Sequence, residues 1–184
     1  MKLLAISGSL RAASLNTLLL QAAIRLAPAT VEINLCQGLA DLPLFNPDTE
    51  GPDFERPAPA AVLGFRRQVQ AVEGVIIASP EYAHGVSGVI KNALDWIVGS
   101  GELVGKPVAM LNASGRATLA YAALRETLSV MDSRIIDVAS VTIPLIEGRD
   151  DLAGILGDAR KSSTLSDALQ WFVAAIQTRK DTDA

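Results

Sequence analysis

Residues 3–17, Leu3-Leu4-Ala5-Ile6-Ser7-Gly8-Ser9-Leu10-Arg11-Ala12-Ala13-Ser14-Leu15-Asn16-Thr17, join a short apolar run to a glycine turn and then to an amphipathic segment. The run stops at Ser7-Gly8-Ser9. Beyond it Leu15, Leu18, Leu19, Ala22, Ala23 and Leu26 recur at helical spacing. Ser14 is placed to cap that helix and Pro28 to end it. A strand, a tight turn and a helix N-terminus in succession make an anion cradle, because the first N–H groups of a helix lack partners and carry partial positive charge. Ser9, Ser14 and Thr17 add hydroxyls, Asn16 an amide, and Arg11 a planar cation suited to phosphate. A capped helix with a surface arginine is the competing reading of these residues. The chain has no Gly-x-Gly-x-x-Gly and no Gly-Lys-Ser/Thr. A nucleotide held here is therefore expected to carry a single phosphate.

Working outward, the same unit repeats. Residues 30–35 alternate and begin with β-branched side chains, which predicts a second strand. Residues 36–58 form the longest irregular stretch, where Pro43, Pro47, Pro52 and Pro57 exclude a continuous helix. A loop of this length is usually functional or packed by its own side chains, and Leu42, Leu44 and Phe45 are candidates for that packing. A helix is expected over 60–72. Residues 74–79, with Val75, Ile76 and Ile77, are continuously apolar, as suits a parallel strand covered on both faces. Further helices are expected over 88–98 and 117–131, a fourth strand over 107–112, and a fifth somewhere between 134 and 143. Leu165, Leu169, Phe172, Val173 and Ile176 mark the last helix. Five βα units imply an α/β fold, a parallel sheet with helices on both faces. Ligands in such sheets bind beyond the carboxyl ends of the strands, here the turns after strands one, three and four.

Composition closes off other classes. The 184 residues are 49% hydrophobic and 20% charged, enough apolar mass for a full core in a single domain spanning 1–184. The net charge of −4 and the absence of a basic run argue against nucleic acid or an anionic membrane as partner. No segment is apolar for long enough to span a bilayer, and the first apolar run is too short for a signal peptide. Cys36 is the sole cysteine, so no internal disulfide is possible and a reducing cytoplasm is expected, with the thiol buried and inert.

The turn after the third strand reads Ser79-Pro80-Glu81-Tyr82-Ala83-His84-Gly85-Val86-Ser87-Gly88. Pro80 stiffens its start, Gly85 and Gly88 leave backbone accessible to a flat ring, and Tyr82 offers an aromatic wall. The following Val89-Ile90-Lys91-Asn92-Ala93-Leu94-Asp95-Trp96-Ile97 has almost no polar face, which predicts burial in the core or against another subunit. Ser-Gly-Ser-Leu-Arg at 7–11 with Ser14 and Asn16, followed by Pro80-Glu81-Tyr82 and Lys91-Asn92-Ala93-Leu94-Asp95-Trp96, resembles the NADPH-dependent FMN reductase family, which includes quinone, chromate and azo-dye reductases. The resemblance runs to about Ser114.

That resemblance implies a flavodoxin-like, doubly wound five-stranded sheet in the order 2-1-3-4-5. It implies bound FMN, NAD(P)H as co-substrate, and hydride passed through the flavin to a small-molecule acceptor: a quinone, flavin, azo compound or chromate. Ser9, Arg11, Ser14, Asn16 and Thr17 would hold the phosphate. Pro80, Glu81, Tyr82 and Ala83 would line the ring, largely through backbone, and Ser114 and Gly115 would close another side. A homodimer or homotetramer through the 88–98 helix is also implied. Many relatives carry Asn at the position of Ala83, an aromatic at His84 and Pro at Ser87. An electron carrier that binds FMN without oxidising NAD(P)H is the alternative, and a colourless nucleotide-binding module a further one.

Acid–base chemistry is scarce. His84 is the only histidine, and no Gly-x-Ser-x-Gly elbow accompanies it, which argues against a hydrolase triad. A solvated rim position is expected for it, with a substrate-facing proton donor as the other possibility. One His and one Cys without paired spacing do not make a metal site. Asp150-Asp151 reads as a solvated helix start. A flavin would supply the redox chemistry these side chains lack.

Overall fold

The computed structural model describes residues 1–50 and 55–182. Its elements run β1 (Lys2–Ser7), α1 (Leu15–Leu26), β2 (Glu32–Leu35), α2 (Ala60–Gln70), β3 (Gly74–Ala78), β4 (Glu81–Tyr82), β5 (Gly85–Val86), α3 (Gly88–Val98), β6 (Pro107–Asn112), α4 (Leu119–Val130), β7 (Arg134–Ile135), β8 (Val141–Thr142), α5 (Leu152–Gly157) and α6 (Ala159–Thr182). The main sheet is parallel, in the order β2-β1-β3-β6-β7, with β8 also paired to β6. This is the expected flavodoxin-like order with one difference. The fifth strand is two short pieces. Val108 pairs with Ile135 and Leu111 with Val141, so a 3₁₀ turn over Asp137–Ala139 sits against the middle of β6. The Ser140 hydroxyl fills the gap, accepting from the Met110 N–H at 3.0 Å and donating to the Ile136 carbonyl at 3.0 Å. The second strand begins at Glu32 rather than at residue 30, because the Val31 N–H closes a turn onto Pro28.

Strand alternation explains the unbroken apolar runs. Leu4, Ile6, Val75, Ile77, Val108 and Met110 face α2, α3 and α4, while Leu3, Ala5, Ile76, Ala109 and Leu111 face α1, α5 and α6. Both faces are covered, so neither set needs polar residues. The fit is close: a Cβ on Gly74 would lie 2.8 Å from Ile176 Cδ1 and 2.9 Å from Phe172 Cζ.

The helix at 88–98 divides its surface more sharply than its composition suggests. Ile90, Ala93, Leu94, Trp96 and Ile97 enter this chain's own core, while Lys91 and Asp95 pair outside at 2.6 Å. Asn92 and Trp96 hold the long irregular stretch: the Trp96 indole N–H and the Asn92 amide both donate to the Pro43 carbonyl, at 2.7 and 3.0 Å. Leu42 is buried and Phe45 packs edge-on to Trp96, as expected, but Leu44 is 85% exposed and contributes no packing. Pro52 lies outside the described residues. Beneath this stretch the buried Arg66 guanidinium binds Glu50 through two contacts, at 2.7 and 2.9 Å, and approaches Glu102 at 3.6 Å.

Cys36 is buried, and desolvation pushes its thiol up to about 12, consistent with an inert side chain. Asp151 caps α5 through the Gly154 N–H, as a helix start should. Asp150 is not solvated, however: its side chain is 12% exposed and paired with Lys161.

Candidate functional site

The three turns converge because β1, β3 and β6 end at the same level, Ser7 opposite Ala78 and Ala78 opposite Leu111. The first two turns are in direct contact. Gly8 donates its N–H to the Ala78 carbonyl at 2.8 Å. A Cβ on Gly8 would stand 2.6 Å from Ser79 Oγ and 2.9 Å from Ser79 Cβ, so this position requires glycine. Ser87, only 1% exposed, donates its hydroxyl to the Gly8 carbonyl at 2.7 Å and accepts from the Ile90 N–H at the start of α3.

Within the first turn, hydroxyls brace the backbone. Ser7 and Thr17 share a hydrogen bond at 2.8 Å, the Ser9 N–H donates to Ser7 at 3.3 Å, and Ser14 caps α1 by accepting from the Thr17 N–H at 3.2 Å. Asn16 differs. It is 9% exposed, and among the described residues its side-chain amide has no hydrogen-bond partner. The N–H groups of Leu15 and Asn16, the first two of α1, also lack acceptors among the described residues.

Beyond Pro80 the chain makes a two-residue hairpin, β4 to β5, with Ala83 at φ 50° and His84 at φ 61°. Positive φ at both central residues is the turn that Asn-Gly favours, so Ala83 and His84 are held in a conformation that costs a side-chain-bearing residue energy. Tyr82, Ala83 and His84 are exposed, the histidine side chain at 79%. Glu81 points the other way. Its carboxylate accepts from the Ala120 N–H at 2.8 Å and meets His84 Nδ1 at 3.2 Å. It thus caps α4, whose own Thr118 supplies no side-chain cap. The Ala120 N–H, and secondarily His84, hold the Glu81 carboxyl below its ordinary pKa.

The third turn is organised by Asn112, buried at the end of β6. Its Oδ1 accepts from the Ser114 N–H at 3.0 Å and its Nδ2 donates to the Ala117 carbonyl at 3.1 Å. This leaves Ser114 and Arg116 facing outward.

Between the turns lies a cleft of about 490 Å³, within the range that takes a cofactor-sized ligand. Asn16, Pro80, Glu81 and Ser114 line it, so the structure brings residues from all three turns to one wall. Ser14 and Thr17 line an adjoining recess of about 230 Å³ on the far side of Leu15. Ser9, Arg11, Tyr82, Ala83 and Gly115 line neither. Arg11 is occupied: its guanidinium grips Glu147 through Nη2 at 2.6 Å and Nη1 at 3.4 Å. Glu147 borders both the cleft and the recess.

Four further residues shape the site: Ser87, Asn112, Arg116 and Glu147. Arg116 lines the cleft and forms no ion pair among the described residues. A polar residue closing an apolar strand was the available signal for Asn112. Nothing local marks Glu147, whose place depends on the fold. The donor set fits a phosphorylated planar ring. An amide on the cleft wall without a protein partner and two helix N–H groups unpaired among the described residues suit the phosphate end, and the Pro80 turn and the Ser114 loop form walls for a flat body. Among the described residues no cluster of His, Cys, Asp and Glu could hold a metal ion.

Comparison with known proteins agrees. The sequence model of the family described as NADPH-dependent FMN reductase matches residues 1–148. The NAD(P)H-dependent FMN reductase of Pseudomonas aeruginosa is 38% identical over 174 residues, covering 92% of this chain and 91% of that protein. A quinone reductase of Escherichia coli is 33% identical over 150 residues, 78% of each. Among solved structures, the flavoenzyme NAD(P)H:(acceptor) oxidoreductase of Paracoccus denitrificans superposes with a TM-score of 0.83 at 28% identity, covering 96% of this chain and 97% of that one.

Proposed function

The chain belongs to the NADPH-dependent FMN reductase family, and from that premise we propose that the cleft between its three turns holds FMN and that the acceptor it reduces is a quinone. The protein is an FMN-dependent oxidoreductase using NAD(P)H as electron donor. The observation that carries the assignment of the cleft is the Asn16 amide on its wall, which has no protein hydrogen-bond partner among the described residues. That amide opens onto the cleft with both its donor and its acceptor available, so a ligand phosphate or ribityl oxygen can bond it.

Bound FMN supplies hydride chemistry that the protein's own side chains do not. The chain's part is to bind and orient. In this reading Ser9, Ser14, Asn16, Thr17 and the α1 N–H groups receive the phosphate, with Arg11 as its cation. Pro80, Glu81, Tyr82 and Ala83 carry one edge of the ring, and Ser114 and Gly115 another. Glu81 acts as a clamp rather than as an acid, because its carboxylate is committed to the α4 N-terminus. Exposed His84 stands at the rim. Arg116 offers a cation to the phosphates of the nicotinamide dinucleotide.

The chain acts as one domain over 1–184 in the cytoplasm, as a homodimer or homotetramer. No described helix is long and apolar enough to cross a membrane. Val98 on α3 and Val130 on α4, 47% and 72% exposed, border a shared groove and support contact with a second copy.

The test is spectroscopic. The purified protein reconstituted with FMN should be yellow, bleach on anaerobic addition of NADPH or NADH, and regain colour on addition of a benzoquinone. Bleaching without reoxidation by quinones would remove the acceptor assignment, and no bleaching by either coenzyme would favour an electron carrier.

A further inference from the structure

We propose that Glu147 is an internal competitor for the phosphate site, a displaceable counter-ion that sets how strongly the protein prefers FMN to riboflavin. The inference rests on the reading of Arg11 as the phosphate cation. In the structure both terminal nitrogens of Arg11 donate to the Glu147 carboxylate, at 2.6 and 3.4 Å, across 136 residues of sequence. An anion of the protein's own thus stands where the ligand's anion is expected. A phosphate drawn to Arg11 meets a carboxylate already using that fork, and the two negative charges repel.

Three observations favour displacement over a permanent bond. First, both side chains are more than half exposed, 58% and 59%, so solvent screens the pair and makes it readily exchangeable. Second, the neighbouring carboxylates are committed elsewhere. Asp150 is paired with Lys161 and accepts from the Ile146 N–H, and Asp151 caps α5. Among the described residues Glu147 has Arg11 as its one side-chain partner. Third, Glu147 sits on a short span between fixed points. The Leu145 N–H bonds the Ala113 carbonyl and the Asp150 side chain is anchored. Gly148 between them adopts φ 75°, and a Cβ placed on it would meet nothing within 4 Å. With the backbone of this turn fixed, the 59% exposed carboxylate can leave Arg11 by side-chain rotation alone, with little change in the sheet or helices. Its position on the borders of both the cleft and the recess means that it stands beside the site in either state.

The experiment compares two flavins that differ only in the phosphate. The full chain, freed of flavin, is titrated with FMN and with riboflavin by fluorescence quenching, as wild type, Glu147→Gln, Glu147→Ala, Arg11→Gln and the Arg11→Gln/Glu147→Gln double variant. The expected result is that both Glu147 variants bind FMN about two- to tenfold more tightly with riboflavin unchanged, that Arg11→Gln weakens FMN alone, and that Glu147→Gln has no effect once Arg11 is gone. An unchanged or lowered FMN-to-riboflavin ratio in both Glu147 variants, with Arg11→Gln still selective against FMN, overturns the proposal and leaves the phosphate assignment standing. If Arg11→Gln changes neither flavin, the phosphate assignment itself is wrong, and the proposal falls with it.

Discussion

The hydroxyl of Ser87 donates to the carbonyl of Gly8 at 2.7 Å, joining residues 79 positions apart and locking the turn after β1 to the turn after β3. With the Gly8 N–H donated to the Ala78 carbonyl, it holds together two of the turns that flank the cleft. Ser87→Ala strands a buried carbonyl and removes the cap of α3, which should cost about 1–3 kcal/mol. A urea melt checks the loss, and an FMN titration should show weaker binding alongside it. Unchanged stability would mean that water replaces the hydroxyl.

The hairpin stores strain. Ala83 and His84 both have positive φ, and alanine adopts it only at an energetic cost. Ala83→Asn should raise stability by roughly 0.5–1 kcal/mol, since asparagine tolerates this conformation. The measurement is the denaturant midpoint. A lower midpoint would show that the methyl group packs favourably in a way that outweighs the backbone.

Glu81 makes stability depend on pH. Its folded pKa lies below its unfolded value, because the Ala120 N–H and His84 stabilise the charged form. Such a group contributes stability that is present above the unfolded pKa and lost as pH falls through the folded one. Wild type should therefore exceed Glu81→Gln in stability at pH 7, and the difference should shrink below about pH 4.5. A difference that stays constant between pH 7 and pH 3 would contradict this.

Arg66 balances buried carboxylates. Its guanidinium binds Glu50 and the Trp96 carbonyl and lies near Glu102. Arg66→Met leaves these acids without their cation and should destabilise the fold by about 3–5 kcal/mol. Thermal or urea denaturation tests it. Because Glu50 lies within the long irregular stretch, limited proteolysis should cut the variant there first.

How much of the fold and site is legible in the sequence follows from the kind of signal each residue carries. Gly8, Ser14 and the run at 74–78 announce themselves locally, through turn, cap and burial patterns. The hairpin is not marked as one, because Ala83-His84 is an unusual pair for its turn. The fifth strand eludes a boundary because its middle is a 3₁₀ turn held by Ser140, which no periodicity records. Leu44 looks like packing and is solvent-facing, since one apolar residue in a loop carries no direction.

The sequence by itself determined the alternating architecture, the strand–turn–helix cradle and the family, because these rest on short-range spacing and contiguous motifs. Only the tertiary structure decided that Glu81 caps a helix, that Ser87 ties two turns together and that Arg11 is held by Glu147. Each of those bonds spans dozens of residues, and a hydrogen bond forms between atoms about 3 Å apart in space whatever their separation along the chain.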